Sequence, residues 1–213
     1  MGKMKVFEKV GGRMRKAIAL LFIFAGLLMI GLTSYEMIQG KNAQNEALEE
    51  AKLIISGDDK PKGSAINNDE PQEMREGFRA ATGDIIGVLS IPRLEVELPI
   101  IEGTHEDELA IGVGHYSKTA FPTDGKQILL SGHRDTVFRQ LGQLEIGDVF
   151  EVEMEYGTFV YLIAETFIVD ADDTTVIDYS IDEEVLTVST CYPFNFIGSA
   201  PERYIINAKP ADQ

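Results

Sequence analysis

With 213 residues, 44% of them hydrophobic, the chain can hold one medium domain with a real core plus appendages, and is short for two. Its formal net charge of -16 argues against nucleic acid as a partner, because a polyanion would be repelled. The single cysteine, Cys191, rules out an intramolecular disulfide and, with no C-x-x-C, argues against a structural zinc site or a thioredoxin-like couple.

Residues 17–32 (AIALLFIFAGLLMIGL) carry no charge and follow Lys3, Lys5, Lys9, Arg13, Arg15 and Lys16, against Glu8 alone. This reads as a membrane anchor over 17–35 with a basic cytoplasmic segment, 1–16, before it. A cleaved secretory signal has the same charge order. The apolar run is longer than an ordinary signal core, however, and no A-x-A-like site follows it closely, so the uncleaved reading is preferred. The rest of the chain is then extracellular. Residues 36–81 are polar and read as a stalk: helical spacing persists to about Ile55, and loop composition follows Ser56.

From Thr82 to the end the texture changes to short apolar runs separated by Gly, Pro and Asp. Strands are expected at 84–90, 96–101, 127–131, 149–153, 158–168, 185–190 and 203–208, with short helical turns near 106–112 and 136–141. So many short strands in one domain imply a closed or sandwiched all-β fold. The acidic runs 170–173 and 182–184 read as solvated turns. Calcium activation has no motif behind it, since the D-x-D-x-D-G spacing is missing, and no cofactor is called for.

A thiol is only slightly ionised at neutral pH, so a nucleophilic cysteine needs a cationic or basic neighbour. Three histidines are available. His105 sits in an acidic polar loop, and His115, between glycine and tyrosine, reads as a packed structural residue. His133 follows the apolar run 128–130 and opens into Arg134-Asp135, a strand end where functional groups are commonly placed. Cys191 likewise ends a strand, and Arg203 opens the next one, which is expected to lie beside it. Such a trio can perform acyl transfer, with the thiolate attacking a carbonyl, His133 protonating the leaving amine and Arg203 donating to the oxyanion. From the residues alone, a buried inert cysteine with unrelated surface His and Arg stays open.

Thr187-Val188-Ser189-Thr190-Cys191 resembles the T-L-x-T-C signature of sortases, with Val188 a conservative departure, and Ser131-Gly132-His133-Arg134-Asp135 resembles their histidine segment. Arg203 falls where their arginine follows the cysteine. Residues 86–92 with 98–100 are similar to the opening strands of the family, and 112–116 to the segment before the histidine strand, so the resemblance covers essentially all of 82–213. Class D is the nearest match. Class A shares most of the motifs, and class B lacks support because no long helical insertion separates Phe167 from Val185.

The resemblance implies a closed eight-stranded β-barrel and a cysteine transpeptidase with His133, Cys191 and Arg203 as catalytic residues. The implied substrates are secreted proteins bearing an LPxT-type C-terminal sorting signal, joined through a thioester on Cys191 to a peptidoglycan precursor or another cell-wall amine. Asp135 reads as a loop or salt-bridge residue and Thr190 as a supporting hydrogen-bonder or strand-packing residue. Two alternatives are a membrane-tethered barrel that binds without catalysis and a purely hydrolytic cysteine peptidase. A stalk that folds back over the cleft as an inhibitory appendage is an idea left open beside these, not an expectation.

Overall fold

The computed structural model describes residues 2–56, 70–196 and 198–211. The part of the stalk at 57–69, including its loop-like centre, lies outside the described residues. The chain divides into two compact units, Met1–Asn42 and Ala43–Gln213.

Helix α1 runs from Gly2 to Ile55. It contains an apolar window of a length and composition that can cross a membrane, and none of that window is buried in protein. Leu20, Phe22, Phe24 and Met29 are each about two-thirds exposed, which in water would leave a large apolar surface uncovered. The last turns of α1 belong to the second unit. There Ala47 and Ala51 are buried, and Lys52 Nζ lies 2.6 Å from Glu97 Oε2.

Helix α2 (Glu70–Gly77) is a short polar helix where composition suggests only loop. It is held by tertiary contacts rather than by an apolar stripe. Arg75 Nη2 pairs with Asp124 Oδ2 at 2.6 Å, and its guanidinium lies 4.7 Å from the centre of the Phe121 ring. Phe78, just after the helix, meets Phe121 edge-on at 5.2 Å and joins the core.

Eight strands follow: β1 (Ile85–Ile91), β2 (Val96–Glu102), β3 (Val113–His115), β4 (Gln127–Gly132), β5 (Val149–Met154), β6 (Gly157–Asp170), β7 (Val185–Tyr192) and β8 (Glu202–Pro210). They close in the order β1-β2-β3-β4-β7-β8-β6-β5, with β5 pairing back onto β1. Closure leaves no open edge. The pairs β2/β3 and β4/β7 are parallel, and the others are antiparallel. Helix α3 (Glu106–Ile111) makes the β2-to-β3 crossover.

The interior follows the two-residue period of the strands. In β5, Phe150, Val152 and Met154 are buried while the alternate residues are partly exposed. Leu89, Ile91, Ile100, Ile128, Leu130, Leu186, Val188 and Ile206 fill the same core. Each such side chain contributes roughly 1.5–3 kcal/mol of burial. Strands β4 and β7 are buried along nearly their whole length on both faces. Part of the reason is the β6–β7 connection, 171–184, which reaches β4 through Gln127: its Nε2 donates to Val176 O, and its Oε1 accepts from Asp178 N, both at 2.8 Å.

Tyr161, on β6, is fully buried, and its hydroxyl donates to Glu184 Oε1 at 2.7 Å. Glu184 Oε2 accepts from Thr123 N at 2.8 Å, so one carboxylate joins β6, the approach to β7 and the β3–β4 connection. Burial first, and then the Glu184 charge, raise the Tyr161 pKa well above 10.0. A folded-state pKa raised in this way contributes stability that is full below the unfolded value and is lost as pH rises through the folded value. Tyr161→Phe removes the hydrogen bond to Glu184 and should cost about 1–2 kcal/mol near neutrality. It should also flatten the fall of stability above pH ~10. Denaturant melts of both proteins across that range check the two effects together.

Candidate active site

Parallel pairing fixes the level at which β4 and β7 end. Ser131 stands opposite Ser189 and Gly132 opposite Thr190, so His133 and Cys191 are the next residues on the two neighbouring strands. On the other side of β7, antiparallel pairing sets Cys191 directly opposite Arg203. Because Leu186 and Val188 face the core, the strand period turns Thr190 inward and Cys191 outward. Cys191 is therefore flanked on the outer face by a histidine on one side and a guanidinium on the other.

The corner is fastened from beneath. Thr190, only 2% exposed, donates from Oγ1 to the carbonyl of Gly132 at 2.8 Å, tying β7 to β4 one residue before the histidine. Gly132 has no room for a side chain, since a Cβ would lie 2.6 Å from the ring of Phe138, itself fully buried. The result is a cleft of ≈ 330 Å³ lined by His133, Arg134, Asp135, Cys191, Arg203 and the loop residues 198–200. Cys191 is the free cysteine and is partly exposed in this cleft. Arg203 Nη1 donates to the carbonyls of Glu202 at 2.9 Å and Ala200 at 3.3 Å.

The sortase-domain family model matches residues 89–211. Sortase D of Bacillus subtilis (strain 168) is 43% identical over 92% of this chain and 98% of its own length. The chain belongs to the sortase family. It is a transpeptidase, and its similarity to Sortase D supports class D. Among solved structures, a Clostridium perfringens Sortase D5 transpeptidase is 28% identical over 80% of this chain and 99% of its own, with a TM-score of 0.63. Sortase E1 from Streptomyces coelicolor, solved with a tripeptide in its active site, is 30% identical over 63% of this chain and 92% of its own, with a TM-score of 0.55. The closed eight-stranded barrel is the sortase fold.

Of the remaining residues singled out in the sequence of this sortase, His115 and His105 fall outside the cleft, while Asp135 lines it without joining His133. His115 is 1% exposed, with Nδ1 2.6 Å from Glu102 Oε2, Nε2 2.9 Å from the Ala120 carbonyl and its ring stacked on Phe121. It is a packed residue joining β2, β3 and the turn after β3. His105 opens α3, with its backbone N–H donating to Glu108 Oε2 at 2.7 Å. Asp135 offers its carbonyl to Arg139, and no bond or ion pair links it to His133 among the described residues. Nor do the described residues contain a group of three or more His, Cys, Asp or Glu side chains able to hold a metal ion.

One neighbour of the site escapes the sequence reading: Glu106, in the first turn of α3, places Oε1 3.8 Å from His133 Nε2. Arg134 lies in the histidine segment, but its reach across to the β7–β8 connection is not readable there. Each contact depends on the path of a loop.

Gly132→Ala should destabilise the fold by about 1–3 kcal/mol and slow peptide turnover more than its loss of stability explains, because Phe138, whose N–H donates to the His133 carbonyl, cannot yield without moving His133. Thermal melts beside single-turnover kinetics separate the two contributions. Glu106 is 89% exposed, and its charge is screened by water and salt. Glu106→Gln should accordingly change kcat/KM by no more than about threefold, an effect that vanishes in high salt. Measuring the rate at low and high ionic strength checks this.

Proposed function

We propose that Cys191 is the nucleophile, His133 the general acid and base, and Arg203 the electrostatic partner of the carbonyl under attack. The observation that carries this reading is the register that flanks Cys191 with the other two on one face. Sortases act on proteins bearing sorting signals and on cell-wall amines. For this chain the proposed donor is a secreted protein with an LPxT-type C-terminal signal, and the acceptor is an amine of a peptidoglycan precursor or the wall.

In the first step the Cys191 thiolate attacks the carbonyl carbon of the signal's threonine. The C–N bond of the next peptide link breaks, and His133 gives its proton to the departing amine, leaving a thioester. In the second step the acceptor amine attacks that thioester and passes its proton to His133, and the thiolate leaves. Both tetrahedral intermediates carry a developing oxyanion, which the donors of Arg203 not engaged by Glu202 and Ala200 would stabilise. Thr190 holds the strand beneath Cys191 in place. The tripeptide in the active site of the Streptomyces Sortase E1 supports a peptide ligand in the matching place. Calcium plays no assigned role in this scheme.

The N-terminal basic residues and the apolar window of α1 support a single-pass anchor with a cytoplasmic N-terminus and the catalytic domain, residues 82–213, outside. A tethered enzyme searches for a secreted donor and a lipid-borne acceptor at one surface rather than in a volume. The residues between anchor and domain, 36–81, act as a spacer in which the last turns of α1, α2 and Phe78 pack with the barrel rather than standing free of it.

Peptides of LPxTG, LPxTA and LPxTS types, offered with and without an amine, test the whole scheme. The expected result is amine-dependent ligation, no turnover by Cys191→Ala, and losses of about 10²–10⁴ for His133→Ala and 10²–10³ for Arg203→Ala. The pH dependence of kcat/KM should be bell-shaped, with both limbs belonging to the Cys191/His133 pair. Products lacking the amine at saturating acceptor would instead mark a hydrolase. A folded wild type that turns over no peptide and forms no adduct on Cys191 would mark a binding barrel.

A further inference from the structure

The β7–β8 connection, 193–201, forms one wall of the cleft, with Gly198, Ser199 and Ala200 facing Cys191 and His133. Its first part is anchored by packing. The Phe194 ring meets Tyr192 and Tyr204 at 5.5 and 5.4 Å, and lies so close to Gly142 that a Cβ there would come within 2.6 Å of it. Its last part is anchored by Arg203 on the Ala200 carbonyl and by Ala171 N, which donates to the Pro201 carbonyl at 2.8 Å.

Among the described residues, the crown between these anchors has no such packing. Phe196 is 44% exposed, and Gly198 turns the chain at φ +97°, a conformation that other residues rarely adopt. Among the described residues, the only side chain that bonds to the crown is Arg134, whose Nη2 donates to the carbonyl of Phe196 at 2.6 Å and to that of Gly198 at 2.9 Å. Its Nη1 is closed off from solvent, so the guanidinium is partly desolvated where it grips the loop. Charge-assisted bonds are strongest in such a place. Arg134 also directly follows His133 in the chain.

We propose that Arg134 is a positioning residue that latches the crown of the β7–β8 connection to the histidine segment, so that His133, Cys191 and the loop wall form one preassembled cleft. It acts through the carbonyls of Phe196 and Gly198 and needs no contact with substrate. Without it, the described residues of the crown lose the one side chain that bonds to them between the two anchors, and a peptide must order the wall on binding. A small reagent needs no wall and gains access when the crown swings away. The proposal rests on the transpeptidase reading of the cleft for its consequence on peptides, but not for its consequence on thiol access.

The test uses the full-length chain in detergent micelles, with Arg134→Ala and Arg134→Lys beside the wild type. Three quantities are read: acylation by a sorting-signal peptide, alkylation of Cys191 by iodoacetamide, and the melting temperature. For Arg134→Ala, peptide kcat/KM should fall about tenfold or more, chiefly through KM. Alkylation should rise about threefold or more as the wall opens. Lysine can reach one carbonyl but not both, so Arg134→Lys should recover part of each change, and it carries the same test if the alanine variant does not fold.

Acylation and alkylation that both stay within about twofold of wild type would overturn the latch, as would a parallel fall of both rates with melting temperature. A wild type that acylates no peptide while the variant still alkylates faster would sink the transpeptidase reading and leave the latch standing. A wild type that acylates beside a variant whose thiol is no more accessible would do the reverse.

Discussion

Everything at this site depends on the register of β7 against β4. A slip of one residue would turn Cys191 inward and Thr190 outward, because successive side chains point to opposite faces. Two sets of buried hydrogen bonds hold the register. At the far end of the strands, Gln127 Nε2 donates to Thr187 Oγ1, which in turn donates to Asn207 Oδ1, so one chain of polar contacts crosses β4, β7 and β8. At the near end, Thr190 holds the Gly132 carbonyl. Each buried polar atom in these pairs would lose its partner on slippage, at roughly 1–3 kcal/mol apiece. That cost comes on top of the core side chains that would be turned out to water.

The same principle separates the rigid from the adjustable parts of the cleft. Cys191 and Arg203 belong to the barrel ladder and cannot shift without breaking it. The loop wall is held differently, by one aromatic cluster, two arginines and a glycine turn. In a chain with a formal net charge of -16, two guanidiniums at one cleft are a local reversal of sign. Both spend donors on loop carbonyls in this state. The cleft is therefore built around backbone oxygen atoms, the group that a peptide substrate would also present.

The legible part of the sequence was the part governed by local pattern. The alternation Val149-Phe150-Glu151-Val152-Glu153-Met154 announces a strand with one wet and one dry face, and β5 has that form. Composition alone left closed barrel and sandwich undecided, since both bury one face of each strand. The family resemblance was needed to choose. Strand β3 escaped because it is three residues long with a glycine at its centre, and is a strand only because β2 and β4 are there to pair with it. Helix α2 escaped for a similar reason, since its docking is carried by Arg75 on Asp124 and Phe121, far along the chain. Strand ends pointed to His133, Cys191 and Arg203. The pairing that brings them together joins segments 58 residues apart; Glu106 meets the site only through loop geometry, and Arg134, though part of the histidine motif, has partners that the motif does not specify.

Under the proposed reading, electrostatics makes the N-terminal tether necessary. The basic residues cluster before residue 17, so the remainder of the chain is more acidic than the whole. An acidic domain gains nothing from an anionic membrane surface, which repels it within a Debye length of roughly 8 Å at physiological salt. Under the proposed reading the enzyme must nonetheless work beside that surface, where its acceptor is carried. Surface attraction cannot supply this proximity. The apolar window of α1 can, because the burial of some 20 apolar residues in lipid outweighs a screened repulsion by a wide margin.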